Sequence, residues 1–168
     1  KEDITDCQNG IGWIYNNGLG VNKSIDKALY WYKLAAEQNH KEAQYNIGLI
    51  YLNDNLNYES KLIALKWFSL SAKQGIPEAQ YNLASMYFDG VGVTQDFTKA
   101  FKYFLMSAEN GLSISQYQLS EMYSNGWGVN KSTIKSFMWA NISASQGHEE
   151  SINKRNQLLS ELKNEEIQ

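Results

Sequence analysis

Few side chains in this chain could do chemistry. Its 168 residues hold two histidines, His40 and His148, and one cysteine, Cys7. A histidine could act as a general base or ligate zinc, but His148-Glu149-Glu150 lacks the second His of a zinc-binding helix. Cys7 has no histidine at a matching place beside it to draw off its proton, and a small buried structural residue, as at Ala43, Ala79 and Ser115, is the expected role. The carboxylates scatter, and no spacing pairs two of them for acid–base work. Three loops could be mistaken for phosphate cradles: Gly18-Leu19-Gly20-Val21, Gly90-Val91-Gly92-Val93 and Gly126-Trp127-Gly128-Val129. A phosphate loop needs a strand before it and Lys-Ser/Thr after it, and neither is present. They are expected to be turns with left-handed glycines, their valines tucked toward the core. No catalytic, metal or cofactor site is expected, and a weak hydrolase is only a remote alternative.

The same loops lead back to the elements that carry them, because they recur. Ala43-Gln44-Tyr45-Asn46 returns as Ala79-Gln80-Tyr81-Asn82 and again as Ser115-Gln116-Tyr117-Gln118. The period is 36 residues, and four units follow without a gap: 7–42, 43–78, 79–114 and 115–150. Tyr15, Tyr51, Tyr87 and Tyr123 share one place. Trp31, Trp67, Tyr103 and Trp139 share another, and Ala36, Ala72, Ala108 and Ala144 a third.

Each unit is expected to be two helices. In the second unit Ala43, Ile47, Ile50 and Tyr51 fall on one helical face, and Ala64, Trp67, Phe68, Ser71 and Ala72 on another. The second helix should be capped by Ser24, Ser60, Asp96 and Ser132 in turn, and closed at Asn39, Gly75, Gly111 and Gly147. His40 and His148 follow it as turn residues. Gly12, Gly48, Ala84 and Ser120 should let helices approach closely. The second unit replaces the glycine loop by Asp54-Asn55-Leu56-Asn57, an altered turn. Residues 151–168 begin a fifth unit without completing it, with Ile152, Leu159 and Leu162 as an apolar stripe. They are expected to form a capping helix over the last apolar face.

Composition agrees. A chain 43% hydrophobic and 20% charged is not disordered, and one proline favours long helices. A net charge of −3 gives no electrostatic case for nucleic acid, and no apolar run nears the ~20 residues that span a bilayer. The single cysteine excludes a disulfide framework within the chain.

Ala-Gln-Tyr-Asn-Leu-x-x-Met-Tyr-x-x-Gly-x-Gly-Val, then Lys-Ala with an aromatic and Ala-Glu-x-Gly, as in residues 79–111, closely resembles the Sel1-like repeat, a relative of the tetratricopeptide repeat. The resemblance implies an all-α solenoid, a right-handed superhelix of four antiparallel helix pairs with a C-terminal capping helix. It also implies a non-enzymatic, monomeric scaffold or adaptor for a protein or peptide partner, bacterial, and periplasmic or secreted rather than cytoplasmic. Lys1 in place of Met is compatible with a processed start. An immunity protein neutralising a secreted effector such as a phospholipase is the alternative. The cysteine-rich subfamily, with two cysteines per repeat, does not fit.

In such superhelices the first helix of each pair lines the concave face. Register transferred from related repeats puts there Asn9, Trp13 and Asn16, then Tyr45, Leu49 and Leu52, then Tyr81, Ser85 and Phe88, then Tyr117, Glu121 and Ser124. The partner-binding residues expected from this strip are Trp13, Tyr45, Leu49, Leu52, Tyr81, Phe88 and Tyr117, with Trp127 at a loop tip as a separate candidate. Trp13, Phe88 and Trp127 weigh most, because they break the repeat where other aromatics keep it. The recurrent tyrosines serve packing equally well.

Overall fold

The second helix of each pair ends where a left-handed residue follows it, and three of the four begin at a side-chain cap. The computed structural model describes residues 2–53 and 58–165, so the altered loop 54–57 lies outside it. The described residues form helices α1 (Glu2–Asn17), α2 (Ile25–Ala36), α3 (Lys41–Leu52), α4 (Tyr58–Lys73), α5 (Pro77–Asp89), α6 (Phe97–Glu109), α7 (Ser113–Asn125), α8 (Thr133–Ser145) and α9 (Glu149–Glu165). Ser24, Asp96 and Ser132 are the expected N-caps, each accepting from the backbone N–H three residues on. Ser60 is not. Helix α4 starts earlier, at Tyr58, so Ser60 is buried in its first turn. The second helices close as expected, with Asn39 at φ +66° and Gly75, Gly111 and Gly147 between +85° and +91°. Both glycines of each Gly-x-Gly loop are left-handed.

The chain divides into two units, Lys1–Ala79 and Gln80–Gln168. In the first, Ala28, Tyr32, Ala35, Ala36, Ala43 and Ile47 form a core, with Tyr15, Leu29, Ile50, Tyr51 and Trp67 packed against it. Gly12 admits the ring of Tyr32, and Gly48 that of Phe68. In the second unit Ala84, Ala100, Phe104, Ala108, Leu119 and Met122 form the core. Its last helix pair changes the device. Where the other pairs set a glycine or alanine beside an aromatic, Ser120 and Ser136 meet as buried hydroxyls at 3.0 Å, and Ala140 stands in the ring's place.

Recurrent glutamines tie the layers within each unit. Gln44 donates from Nε2 to the Ala36 carbonyl at 3.2 Å, and Gln116 does the same to Ala108. Their Oε1 atoms accept from Gln74 and Gln146 at 2.8 and 2.9 Å. Each glutamine thus adds a second bond to a carbonyl at the end of the preceding helix, which already accepts from the Asn39 or Gly111 N–H, while fixing the end of its own pair.

Three further sequence expectations change. Cys7 is exposed, because among the described residues no helix covers its side of α1 as α2 covers Ala43. Val21 is 39% exposed instead of tucked in, whereas Val129 does pack on the second unit's core. On α9 the buried positions are Ser151 and Leu158, and Leu159 is 40% exposed. The helix keeps the register of Ser115 and Met122, which puts Leu158 inward.

Candidate functional site

Helical spacing puts the third, seventh and tenth residues of each 36-residue repeat on one side of its first helix, and the two units carry separate strips. In the first unit Asn9, Trp13 and Asn16 line α1, while Tyr45, Leu49 and Leu52 line α3. A hydrogen bond of 3.0 Å from Asn46 Nδ2 to Asn9 Oδ1 ties the two helices. Trp13 is 51% exposed, the most open of the expected site residues. Leu49 and Leu52 are half-buried. Tyr45 is also half-buried, its ring centroid 5.9 Å from Phe68, so part of its role is packing. Beside the C-terminal ends of α1 and α3 lies a depression of about 500 Å³ between Asn16, Lys23, Ile25, Leu29, Ile50 and Tyr51.

In the second unit Tyr81 leans on Phe104 with centroids 5.6 Å apart, as Tyr45 leans on Phe68. Phe88 and Trp127, from different repeats, come together. Their rings meet edge to face at 5.2 Å, and Phe97 joins both, stacking on the indole at 6.3 Å and meeting Phe88 at 5.0 Å. The loop has no room to do otherwise. A Cβ at Gly128 would stand 2.2 Å from the Phe97 carbonyl oxygen, so backbone lies on backbone there and carries Trp127 onto α6. The indole is therefore a half-packed platform, 36% exposed, rather than a free tip.

The strip turns polar at its end. Glu121 accepts from Lys154 of α9 at 2.7 Å, and both are largely covered. Tyr117 packs on the His148 ring at 5.2 Å. Burial, and then the charges of Glu121 and Glu150, hold its phenol above the usual range. Tyr117, Glu121, Glu150, Lys154 and Gln157 border a polar hollow of about 400 Å³.

The histidines have a defined task. His40 Nδ1 accepts from the Ala43 N–H at 3.1 Å and so caps α3, while Nε2 lies 2.8 Å from Asp6 Oδ1. His148 Nδ1 likewise accepts from the Ser151 N–H. A polar groove of about 640 Å³ runs past Asp6, Gln38, His40, Glu42 and Gln74. With Nδ1 engaged by backbone, His40 has no lone pair free for a substrate proton while neutral. Among the described residues no three His, Cys, Asp or Glu side chains converge on a metal-sized site, and no helix is long and apolar enough to cross a membrane. The aromatic cluster and the glutamine ties were missed in the sequence. Recurrence flagged Gln44, Gln80 and Gln116 without revealing their partners.

A family model for the Sel1 repeat matches residues 5–40, 41–76, 77–112 and 113–148. Among curated proteins, a sel1-like repeat-containing protein of Acanthamoeba polyphaga mimivirus is 40% identical over 50 residues, 27% of this chain and 9% of its own length. Among solved structures, c5321, a protective antigen present in uropathogenic Escherichia coli strains and displaying an SLR fold, superposes with a TM-score of 0.86. It is 32% identical, over 94% of this chain and 34% of its own. A Sel1 repeat protein from Oxalobacter formigenes gives a TM-score of 0.82 at 29% identity, over 88% of this chain and 60% of its own. This chain therefore spans under a tenth of the viral relative and about a third of the antigen. Helicobacter pylori cysteine rich protein B shares the fold, with a TM-score of 0.61 at 19% identity. The fold class is the all-α solenoid of these repeats.

Proposed function

Because this chain belongs to the Sel1-repeat family, whose members generally mediate protein–protein interaction, we propose that it is a scaffold holding a peptide or protein partner along its first-helix strips. One observation carries the reading. Trp13 exposes half its surface, at a position where the other units place leucine, serine and glutamate. An indole is costly to leave in water and offers a large, rigid contact area with a polar N–H, the chemistry of an interface anchor. Trp127 on its phenylalanine bed is the corresponding anchor of the second unit, with Phe88 as its support. Tyr45, Tyr81 and Tyr117 flank the strips with half-buried rings, and Glu121, Glu150 and Lys154 give the far end its polar, mixed-charge rim.

The test is affinity capture followed by measured binding of whatever is captured. Trp13→Ala and Trp127→Ala are each compared with wild type, and Ile134→Ser, on a 63% exposed residue of α8, is the control. Truncating an anchor should weaken the partner by more than about 30-fold, the loss expected for a hot spot of ~2 kcal/mol or more. The control should leave binding unchanged. If both tryptophan variants stay folded by circular dichroism and bind as wild type does, the strips are not the interface.

A further inference from the structure

The outer side of α1 carries a row of apolar and small residues whose counterparts on later first helices are buried or half-buried. Ile4 is 60% exposed, Cys7 is exposed, Ile11 is half-buried and Ile14 is 37% exposed. One period on, Ala43 and Ile47 take the places of Cys7 and Ile11 and are fully buried. In the fourth repeat Ser115, Leu119 and Met122 take the places of Cys7, Ile11 and Ile14, again with no exposure. On α9, Ser151 and Leu158 do the same.

What buries this row is known from three places within the two units. Helix α2 lies on α3, α6 on α7, and α8 on α9. At each junction the residue in the place of Cys7 faces the second helix of the preceding pair. Ser115 Oγ meets Ser107 Oγ at 2.6 Å, and Ser151 Oγ donates to Ser143 Oγ at 2.7 Å. The next residue completes the junction, as Gln44 and Gln116 do when they donate to the last carbonyls of α2 and α6. Gln8 stands in their place. Its Oε1 accepts from Gln38 at 3.1 Å, as theirs accept from Gln74 and Gln146, which turns its amide nitrogen outward in the same sense.

We propose that this face of α1 is a docking surface for one kind of partner, the second helix of a further Sel1-type helix pair. That helix brings a small residue opposite Cys7 and, near its C-terminus, a carbonyl whose second lone pair accepts from Gln8. The surface continues an interface the fold already makes at α2–α3 and α6–α7 with the same residue types in the same register; at α8–α9 the register is kept, but Ile152 and Arg155 take the places of Gln8 and Ile11. A second copy of this chain is poorly suited to supply the helix, because α2, α6 and α8 are already covered by α3, α7 and α9.

Cys7 reports on the surface directly, as the chain's one thiol. A copy of residues 77–112 is joined ahead of Thr5, so that the copied Leu112 stands at the place of Ile4 and the 36-residue period is kept. The copy holds no cysteine. Cys7 modification by an uncharged maleimide is timed in the chain, in the extended chain, and in the extended chain with Ser107→Arg in the added copy. The expected result is at least a ~10-fold slower reaction in the extended chain, restored toward the parent rate by the arginine. An equal rate in all three overturns the proposal, and so does an added copy that contributes no helix to the far-ultraviolet spectrum. A parent chain that already protects Cys7 while sedimenting at twice 19.2 kDa overturns it too, in favour of a second copy.

Discussion

Gly12 and Gly48 lie so close to an aromatic ring that a Cβ on either would stand 2.6 Å from Tyr32 or Phe68. Gly10, two residues before Gly12, has nothing within 4 Å. Gly12→Ala and Gly48→Ala should therefore each destabilise by about 1–3 kcal/mol through overpacking. Gly10→Ala should stabilise by up to about 1 kcal/mol through helix propensity alone. Urea midpoints separate the signs. Burial pushes the Tyr32 phenol up to about 12. A raised folded value means that the unfolded chain ionises first, so this contribution is intact below pH ~10 and is lost as pH rises from there through about 12. Between pH 8 and 11.5 the wild type should lose stability faster than Tyr32→Phe, and parallel pH profiles would refute the assignment. The small residues at 12, 48, 84 and 120 were legible in the sequence from their recurrence. The exposure of Cys7 was not, since burial of that position depends on a neighbouring helix that spacing alone cannot supply.

At the scale of elements, the second helices were legible to within a residue or two, because cap chemistry is local. Ser24, Asp96 and Ser132 hold their N-termini, and a left-handed residue closes each C-terminus. Ser132→Ala should cost about 1 kcal/mol. At Asp96 the hydrogen bond donated by the Lys99 backbone N–H holds the carboxyl below its ordinary range despite some desolvation. A lowered folded value means that its contribution is present above pH ~3.9 and is lost as pH falls through the folded value. The stability gap between wild type and Asp96→Ala should therefore narrow on acidification toward pH 2, as read from thermal melts. A gap that stays constant would show that the carboxylate is not the cap. His40 and His148, expected as turn residues, prove to be caps of α3 and α9. Imidazole rarely takes that role, so residue preference gave little warning of it.

For the molecule as a whole, stability in a repeat array is close to a sum over neighbouring layers, so the last layer needs a cover. Helix α9 is proposed as that cover. Its Leu158 and Ser151 are buried, and Lys154 pairs with Glu121 of α7. Ending the chain after His148 should expose the side of α8 around Ala140 and Ser143, both fully buried now. The amide hydrogens of α8 should then exchange at least ~10-fold faster, as read by mass spectrometry, since fraying ends open far more readily than covered helices. Unchanged protection would remove the capping role.

The sequence by itself determined the period, the helix pairs, the cap and turn chemistry and the family, because each rests on interactions among residues a few positions apart or on recurrence every 36 residues. Only the tertiary structure decided what crosses between repeats. It joined Phe88, Phe97 and Trp127 in one cluster, linked Gln44 to Ala36 and Gln74, and left the row on α1 uncovered. Those outcomes depend on how far one helix lies from the next. That distance is set by side chains from two elements at once, and neither element's pattern contains it alone.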